Sequence, residues 1–373
     1  MAGGEKLSEL FDRESPTGLV TEEPSRAPLE FHRRLPGYEV TPLITGQLAG
    51  LGALLVKDES HRLGLPSFKI LGASWAVLRA LEQHVGALGP WEDVADLAER
   101  LSLHRPLALA AATDGNHGRA VARMAKLLDL EARIYVPEGT ATARIDAIVS
   151  EGATCEVVAG GYDDAVRHSA TQASESCLVI SDTSWPGYER VPRWVIEGYS
   201  TIFWELENQL EGVPDVVVIQ MGVGALAAAA VAHFRRRSLD PRPYLVGVEP
   251  LEAACVLHSM RAGGITSLPA EQHSIMAGLN CGTPSRVAWP LISQGIDCYL
   301  AVSDERAKEA MRVLADARVI SGETGAAGVA GVLELLARGH EPLEEAVVLV
   351  LSTEGATDPD SYERIVGAAA ASE

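Results

Sequence analysis

Short apolar runs rich in Val, Ile and Leu alternate along the chain with longer stretches that have helical spacing. Strands of this kind, separated by helices, predict parallel sheets covered on both faces. The predicted strands are 52–57, 107–112, 132–136, 154–158, 177–181, 215–220, 244–249, 298–302 and 346–351. The predicted helices are 67–86, 91–101, 116–129, 142–150, 161–175, 192–210, 224–237, 303–317, 325–338 and 360–370. In such folds, sites lie in the loops that follow the C-terminal ends of strands.

The length of the chain predicts two domains, because 373 residues exceed one typical core. Residues 1–40 are polar and rich in proline, so we expect an irregular arm lying on the body of the protein. The stretches 91–101 and 116–175 have the pattern of a compact inserted unit. Residues 183–193, with a glycine and two prolines, are expected to cross back from it.

The net charge of −20 argues against a nucleic-acid partner, because the phosphate backbone binds basic surfaces. Hydrophobic residues make up 47% of the chain and charged residues 22%, as is typical of soluble globular proteins. No apolar run approaches the roughly 18 residues that a membrane span needs, so no membrane partner is expected. The N-terminus lacks a basic region followed by an apolar one, so no secretory signal is expected.

The five cysteines are scattered and form neither a CxxC pair nor a metal-like spacing with histidine; they are residues 155, 177, 255, 281 and 298. An odd and sparse count fits the reducing cytoplasm. A bridge between Cys255 and Cys281 is conceivable, although independent buried thiols are favoured. No metal site is expected.

The segment from Lys57 to Ala76 leaves an apolar strand, crosses a turn with Gly64 and Pro66, and enters a helix. Lys69 falls in the first turn of that helix. A cation is slightly disfavoured at a helix N-terminus, and such a neighbourhood helps an amine lose its proton and attack a carbonyl. The alternative is an ordinary solvated lysine.

Two further loops follow predicted strands and open helices. In ATDGNHGR (112–119), Thr113, Asp114, Asn116 and His117 offer more polar groups than a helix cap needs. In QMGVGALA (220–227), successive backbone N–H groups predict a phosphate site. The second loop also satisfies the GxGxxG/A pattern of dinucleotide-binding proteins, with Glu249 after the next strand, but it lies late in the chain.

Three more candidate loops are LSTEGATD (351–358), SGETGAA (321–327) and SDT (181–183). Ser352 and Thr353 stand where hydroxyls can meet a ring edge at the end of a sheet. Asp182 ends a strand, and together with Asp114 it would supply carboxylates to one site, although each alone is more often a turn residue. Hydrolase and metalloprotease motifs such as GxSxG and HExxH are absent from the sequence.

These loops together resemble the fold-type II pyridoxal-phosphate enzymes, the group of tryptophan synthase β and threonine dehydratase. Longer segments are similar to the diaminopropionate ammonia-lyase family, in the right order from about residue 30 to the C-terminus. They are FHRRLPGYEVTPL (31–43), KDESHRLGLPSFKILGASWA (57–76), ATDGNHGR (112–119), SDTSWPGYERVPRWVIEGYSTIF (181–203), QMGVGALA (220–227), SIMAGLNCGTPS (274–285), SGETGA (321–326) and LSTEGATD (351–358).

The resemblance implies a role for each candidate. Lys69 would form the Schiff base with pyridoxal phosphate, and Asn116 would hydrogen-bond the phenolic oxygen of the ring. The phosphate would be held by the backbone of Gly222, Val223, Gly224 and Ala225. Ser352 would lie by the pyridine nitrogen. Asp114 and Asp182 would contact the second amino group of the substrate or move protons, with Lys69 and Asp114 taking the α-proton of opposite enantiomers. Ser67, Thr113 and His117 are the further candidates for substrate contact.

The resemblance also implies an α/β fold of two three-layer domains with mostly parallel sheets. The larger domain would comprise 1–105, with its arm, and 195–373, and the smaller one would be inserted as 106–194. The implied activity is the α,β-elimination of 2,3-diaminopropionate to pyruvate and ammonia by a cytoplasmic homodimer acting on a small amino acid.

The sequence departs from the family pattern at Ser67, where the family usually has Ala. The Ser-x-Lys form occurs in serine and threonine dehydratases, so a dehydratase, or elimination from another β-substituted amino acid, is the alternative of the same class. A nucleotide-binding oxidoreductase that uses the loop at 222–227 is the alternative of a different class. A binding protein without activity is disfavoured by the intact Lys69.

Overall fold

The computed structural model describes residues 8–13, 17–113, 115–269 and 272–367. The strands are β1 (Ser8–Asp12), β2 (Leu43–Gly46), β3 (Ala53–Asp58), β4 (Ala108–Ala112), β5 (Glu131–Pro137), β6 (Thr154–Val158), β7 (Cys177–Val179), β8 (Val216–Gln220), β9 (Tyr244–Pro250), β10 (Cys298–Val302) and β11 (Val347–Ser352). The helices are α1 (Ala27–His32), α2 (Lys69–Val85), α3 (Val94–Leu101), α4 (Asn116–Leu127), α5 (Thr142–Ser150), α6 (Tyr162–Ala170), α7 (Arg190–Gln209), α8 (Ala225–Phe234), α9 (Cys255–Ala262), α10 (Trp289–Gly295), α11 (Asp304–Asp316), α12 (Ala327–Ala337) and α13 (Pro359–Val366).

The chain divides into two compact units. The larger unit comprises the chain up to Pro24, Thr41–Ser60 and the chain from Glu205 onward. The smaller unit comprises Ser25–Val40 and His61–Trp204. The smaller unit therefore reaches beyond the predicted insert 106–194, because α1, α2 and α3 also belong to it.

The larger unit contains a seven-stranded sheet with the order β1-β10-β9-β8-β11-β3-β2. The inner strands are parallel, and the two edge strands, β1 and β2, are antiparallel to their neighbours. Every residue of β8 and β10 is buried, which explains their apolar sequences, broken only by Gln220 at the end of β8, since parallel strands are covered on both faces. Polar side chains are thus expected mainly where strands end.

The smaller unit contains a four-stranded parallel sheet with the order β6-β5-β4-β7. The central strand β4 has the sequence ALAAA and is wholly buried. Because its side chains are small, helices can lie close to it; α4 and α6 pack against it. The loops after β4, β6 and β7 leave the sheet at one edge, as in all parallel sheets.

The predicted strands and helices are all present, most of them with ends shifted by a few residues; the end of the helix predicted at 360–370 lies outside the described residues. The predicted irregular arm is partly wrong, because it contains β1 and α1. Three further elements were not predicted from the sequence: the strand β2 and the helices α9 and α10. β1 and β2 are short edge strands, and each pairs with only one neighbour, so their sequences lack a strong apolar run. No helix among the described residues is long and apolar enough to cross a bilayer.

Candidate active site

Lys69 is the first residue of α2, whereas the sequence predicts it in the first turn of a helix that begins at residue 67. The chain reaches it through a tight turn in which the backbone groups of Arg62 and Leu65 exchange two hydrogen bonds, at 2.8 and 2.9 Å. Leu63 and Gly64 in this turn have positive φ angles. Arg123 of α4 donates a hydrogen bond to the carbonyl oxygen of Leu63 at 3.4 Å. The position of Lys69 is therefore set by a braced turn.

Asp182 is the direct partner of Lys69. The Lys69 Nζ donates to Asp182 Oδ2 at 2.8 Å, and the hydroxyl of Tyr162 donates to Asp182 Oδ1 at 2.9 Å. Asp182 is 5% exposed, and burial alone would raise its pKa. The Lys69 ammonium, assisted by His117 and the Tyr162 hydroxyl, outweighs burial and holds the pKa of Asp182 well below its usual range. Asp182 is therefore a carboxylate already bound to a primary ammonium.

The loop between β4 and α4 carries the polar residues predicted around 112–119. The Thr113 hydroxyl accepts the backbone N–H of Gly115 at 2.9 Å, and Thr113 is buried. The Nε2 of His117 donates to the carbonyl oxygen of Ile180 at 2.8 Å, so His117 braces the loop that carries Asp182. Asn116 is the first residue of α4. Asp114 lies outside the described residues.

The predicted phosphate loop precedes α8. Gly224 is the N-cap residue, with φ +95° and no side-chain cap among the described residues. The first N–H groups of a helix have no intrahelical acceptor and attract anions. A Cβ at Gly222 would lie 3.1 Å from Cys281 Sγ, and one at Gly224 would lie 2.6 Å from Ile292 Cδ1. The two glycines thus give a narrow backbone cradle in Gly222–Ala225 that suits a phosphate group.

Gln220 braces this cradle from the end of β8. Its Nε2 lies 3.0–3.3 Å from four acceptors, which are the carbonyl oxygens of Thr324, Gly325 and Leu351 and the hydroxyl of Thr353. One buried amide thereby joins the phosphate loop to the ends of two other segments of the larger unit. Sequence reasoning gave Gln220 no role.

Ser352 is buried at the end of β11, and its Oγ donates to Ser321 Oγ at 2.8 Å. The pair is neutral, as the predicted partner of a pyridine nitrogen should be. Ser321 begins the SGET segment that the sequence singled out, but its contact with Ser352 could not be inferred from the sequence.

Glu249 does not have the properties of a dinucleotide ribose ligand. It is fully buried, and its carboxylate accepts the backbone N–H groups of Val256 and Leu257 at 2.7 and 2.8 Å. Burial raises the pKa of Glu249 to about 8, against the effect of these bonds. Glu249 therefore ties the start of α9 to β9, and its oxygens are already used. This disfavours the oxidoreductase alternative.

All five cysteines are free thiols, so the conceivable bridge between Cys255 and Cys281 is not formed. In the part of the chain that the structure describes, no group of three or more His, Cys, Asp or Glu residues could hold a metal ion.

Tyr162 is the residue of this neighbourhood that sequence reasoning missed. It is the first residue of α6, after the strand β6 and two glycines. The rule that sites follow the C-terminal ends of parallel strands would have selected this loop too. Its mixed polar sequence GGYDD (160–164) contains no residue that distinguishes it from an ordinary helix start.

Comparison with known proteins agrees with a site built for pyridoxal phosphate. A family model described as "Pyridoxal-phosphate dependent enzyme" matches residues 34–353. A diaminopropionate ammonia-lyase of Salmonella typhimurium is 36% identical over 368 residues, which cover 91% of this chain and 90% of that protein. The chain belongs to the diaminopropionate ammonia-lyase family. The family and the cofactor class predicted from the sequence are thereby confirmed.

Solved structures agree with the assignment to the diaminopropionate ammonia-lyase family. The Escherichia coli diaminopropionate ammonia lyase, in complex with an aminoacrylate-PLP azomethine reaction intermediate, has a TM-score of 0.86 and 33% identity, with 97% of each chain covered. Threonine deaminase isoform 2 of Solanum lycopersicum has a TM-score of 0.71 at 20% identity and covers 97% of this chain and 99% of its own. At that identity it shares the fold alone. The predicted fold class is confirmed, and the role of each site residue stays a prediction.

Proposed function

We propose that this enzyme converts 2,3-diaminopropionate and water to pyruvate and two molecules of ammonia, using pyridoxal phosphate. The relatives that carry the name diaminopropionate ammonia-lyase match nine tenths of the chain, and they support the predicted class of carbon–nitrogen lyase. The reaction eliminates the β-amino group together with the α-proton. Water then hydrolyses the resulting enamine and releases the second ammonia.

The residues present fit the cofactor. Bound pyridoxal phosphate makes the α-proton of an amino acid acidic by delocalising the carbanion. Lys69 would supply the amine that binds the cofactor aldehyde covalently, and the N–H groups of Gly222, Val223, Gly224 and Ala225 would bind its phosphate. Ser352 would offer a neutral hydroxyl to the pyridine nitrogen, and Asn116 would donate to the phenolic oxygen. These roles follow from the family resemblance.

The observation that carries the choice of a diamino acid is the contact between Asp182 and Lys69. The Asp182 carboxylate binds a primary alkylammonium at 2.8 Å, and the second amino group of diaminopropionate is also a primary alkylammonium. A hydroxyl at that position would gain no ion pair, so a buried carboxylate discriminates against serine. We assign Asp182 to the β-ammonium of the substrate.

Elimination also requires proton transfers. The amine can leave as neutral ammonia when it departs from its ammonium form, so a group that keeps it protonated has to lie within hydrogen-bond reach. We assign this task to the Asp182 carboxylate, which would contact that ammonium. Lys69 takes the α-proton of one enantiomer and Asp114 that of the other. Ser67, Thr113 and His117 complete the proposed substrate contacts.

The protein is further proposed to act in the cytoplasm as a homodimer. Five free thiols are compatible with a reducing compartment. A mass in solution twice that of one chain would support the dimer, and the mass of a single chain would contradict it.

The experiment that tests the function compares substrates on the purified protein. We expect a yellow protein, in which borohydride bleaches the visible band and fixes the cofactor to the peptide containing Lys69. We expect diaminopropionate to be turned over with a kcat/KM well above that of serine. A preference for serine would favour the dehydratase alternative, and a colourless protein that binds a nicotinamide cofactor would favour the oxidoreductase.

Asp114 provides a test of how the two enantiomers are handled. The variant Asp114→Asn keeps the size of the side chain and removes its ability to take a proton. We expect turnover of D-diaminopropionate to fall on the order of 10²-fold or more, as for loss of a general base, and the L isomer to be affected much less. Equal losses on both isomers would contradict the division of labour between Asp114 and Lys69.

A further inference from the structure

Both carboxylate oxygens of Asp182 are engaged by residues from different helices. Lys69 at the start of α2 donates to Oδ2 at 2.8 Å, and Tyr162 at the start of α6 donates to Oδ1 at 2.9 Å. With its amine committed to the cofactor, Lys69 would no longer offer an ammonium to Oδ2. The Tyr162 hydroxyl would remain on the other oxygen. The two contacts are therefore unequal, since one can be given up to substrate and the other holds the carboxylate in place.

The placement of Tyr162 is rigid enough for this task. The turn before it contains Gly160, with φ +98°, and Gly161, whose N–H donates to Asp164 Oδ2 at 3.0 Å. A Cβ at Gly160 would lie 2.4 Å from that same carboxylate oxygen. Tyr162 packs against an apolar cluster of Ala112, Ala165 and Val166. The backbone and the ring of Tyr162 are therefore held by contacts other than the one with Asp182.

The loop that carries Asp182 is fixed from its other side. The Tyr188 hydroxyl donates to the carbonyl oxygen of Val179 at 2.6 Å and accepts the N–H of Ser181 at 3.0 Å. Its ring stacks on Trp185 with 4.1 Å between ring centroids. These contacts hold the backbone around Asp182 in place. The orientation of the Asp182 carboxylate is then set by its hydrogen bond with Tyr162.

We propose that Tyr162 is a positioning residue for substrate selection: its hydroxyl holds Asp182 so that Oδ2 faces the second amino group of a β-amino amino acid. This inference rests on the proposed function. Tyr162 does not contact the reacting atoms in this scheme; it acts through Asp182. Substrates that lack a β-ammonium, such as serine or β-chloroalanine, need no such orientation and so gain little from Tyr162.

The test is Tyr162→Phe, which removes one hydroxyl and keeps the ring in its apolar cluster. A hydrogen bond to a charged group contributes enough for a loss of about 10- to 100-fold. We expect kcat/KM for diaminopropionate to fall by about that factor, while kcat/KM for β-chloroalanine changes by less than about 3-fold. The visible cofactor band should be unchanged. The matched control is Tyr135→Phe, a buried tyrosine of β5 whose hydroxyl has no carboxylate partner among the described residues; it should leave the ratio of the two substrates unchanged.

The pH profile separates positioning from a merely structural role. The titratable or charged described groups that influence Asp182 are Lys69, His117, Tyr162 and Tyr188. Burial raises the pKa of Asp182, whereas Lys69, His117 and the Tyr162 hydroxyl lower it, so loss of that hydroxyl raises it again. Because the carboxylate must be ionised to bind an ammonium, the acidic limb of kcat/KM for diaminopropionate should move to higher pH in Tyr162→Phe. An unmoved limb, or equal losses on both substrates, would overturn the proposal.

A double-mutant cycle of melting temperatures tests the contact between Tyr162 and Asp182 separately from the proposed function. The loss of melting temperature in the double variant Tyr162→Phe/Asp182→Asn should be smaller than the sum of the two single losses, because the two residues share one contact. Additive losses would overturn the contact itself. If the cycle shows coupling while the unaltered enzyme does not turn over diaminopropionate, the contact stands and both the function and the role of Tyr162 in substrate selection fall.

Discussion

The two units place different kinds of chemical groups at the ends of their strands. The larger unit offers backbone N–H groups at Gly222–Ala225 and the neutral hydroxyls of Ser352 and Ser321. Its buried titratable side chains serve the fold: Lys57 donates to Glu205 at 2.9 Å, and Glu249 holds the start of α9. The smaller unit offers Lys69 and Asp182, joined as an ion pair.

The difference indicates a division of labour. Neutral groups and N–H groups suit a permanently bound anionic cofactor, since they bind it without titrating. Charged side chains suit the steps in which protons move and an ammonium is recognised. We therefore expect substitutions in the smaller unit to change turnover and substrate choice. Substitutions in the phosphate loop of the larger unit should change cofactor affinity instead.

The largest effect should come from Asp182→Asn. The amide is isosteric but can neither form an ion pair with the β-ammonium nor keep that group protonated until it leaves. We expect kcat/KM for diaminopropionate to fall by about 10²- to 10⁴-fold, the range for loss of a general acid–base group, while the cofactor stays bound. Steady-state kinetics measure the fall in kcat/KM, and the visible spectrum measures whether the cofactor stays bound. Loss of the cofactor together with activity would break the proposed division of labour.

A smaller effect is expected from Gly224→Ala in the larger unit. Gly224 has φ +95°, and its Cβ would lie 2.6 Å from Ile292 Cδ1. Left-handed backbone costs a non-glycine residue about 1–2 kcal/mol, and the loop must move to relieve the contact. We expect the dissociation constant of pyridoxal phosphate to rise about 10-fold, with kcat of the saturated enzyme little changed. Titrating the cofactor-free protein with pyridoxal phosphate measures this dissociation constant.

Gly263→Ala is the matched control for that variant. Gly263 also has positive φ, at +74°, but a Cβ there would meet nothing within 4 Å, and it ends α9 rather than opening α8. It should lower the melting temperature without altering the dissociation constant. An equal loss of cofactor affinity in both variants would mean that general destabilisation, not the shape of the cradle, controls binding.

Most of the fold follows from the apolar pattern, because the parallel strands of both sheets are covered on both faces. β8 and β10 are buried along their whole length, and their sequences are apolar runs except for Gln220 at the end of β8. The edge strands β1 and β2 have no such run, and their pairing depends on distant strands, which a local pattern does not encode. The unit boundaries were harder still, since α2 and α3 precede the insert in sequence and yet belong to the smaller unit.

The candidate site was predictable where a residue follows a strand with an unusual sequence. Lys69, Asp182 and the glycines of the phosphate loop were found in this way. Tyr162 and Gln220 were not, because their importance lies in one hydroxyl and one amide that reach residues far away in the chain. Contacts of this kind depend on the path of the whole backbone.

The most direct measurement of the central claim is the stoichiometry of products from diaminopropionate. The reaction consumes one water and gives one pyruvate and two ammonia molecules, so parallel assays of both products should give a ratio of ammonia to pyruvate of 2 to 1. Serine, which loses only one nitrogen, would give 1 to 1 at a far lower rate. Rapid formation of pyruvate from serine, with no ammonia or pyruvate from diaminopropionate, would contradict the account.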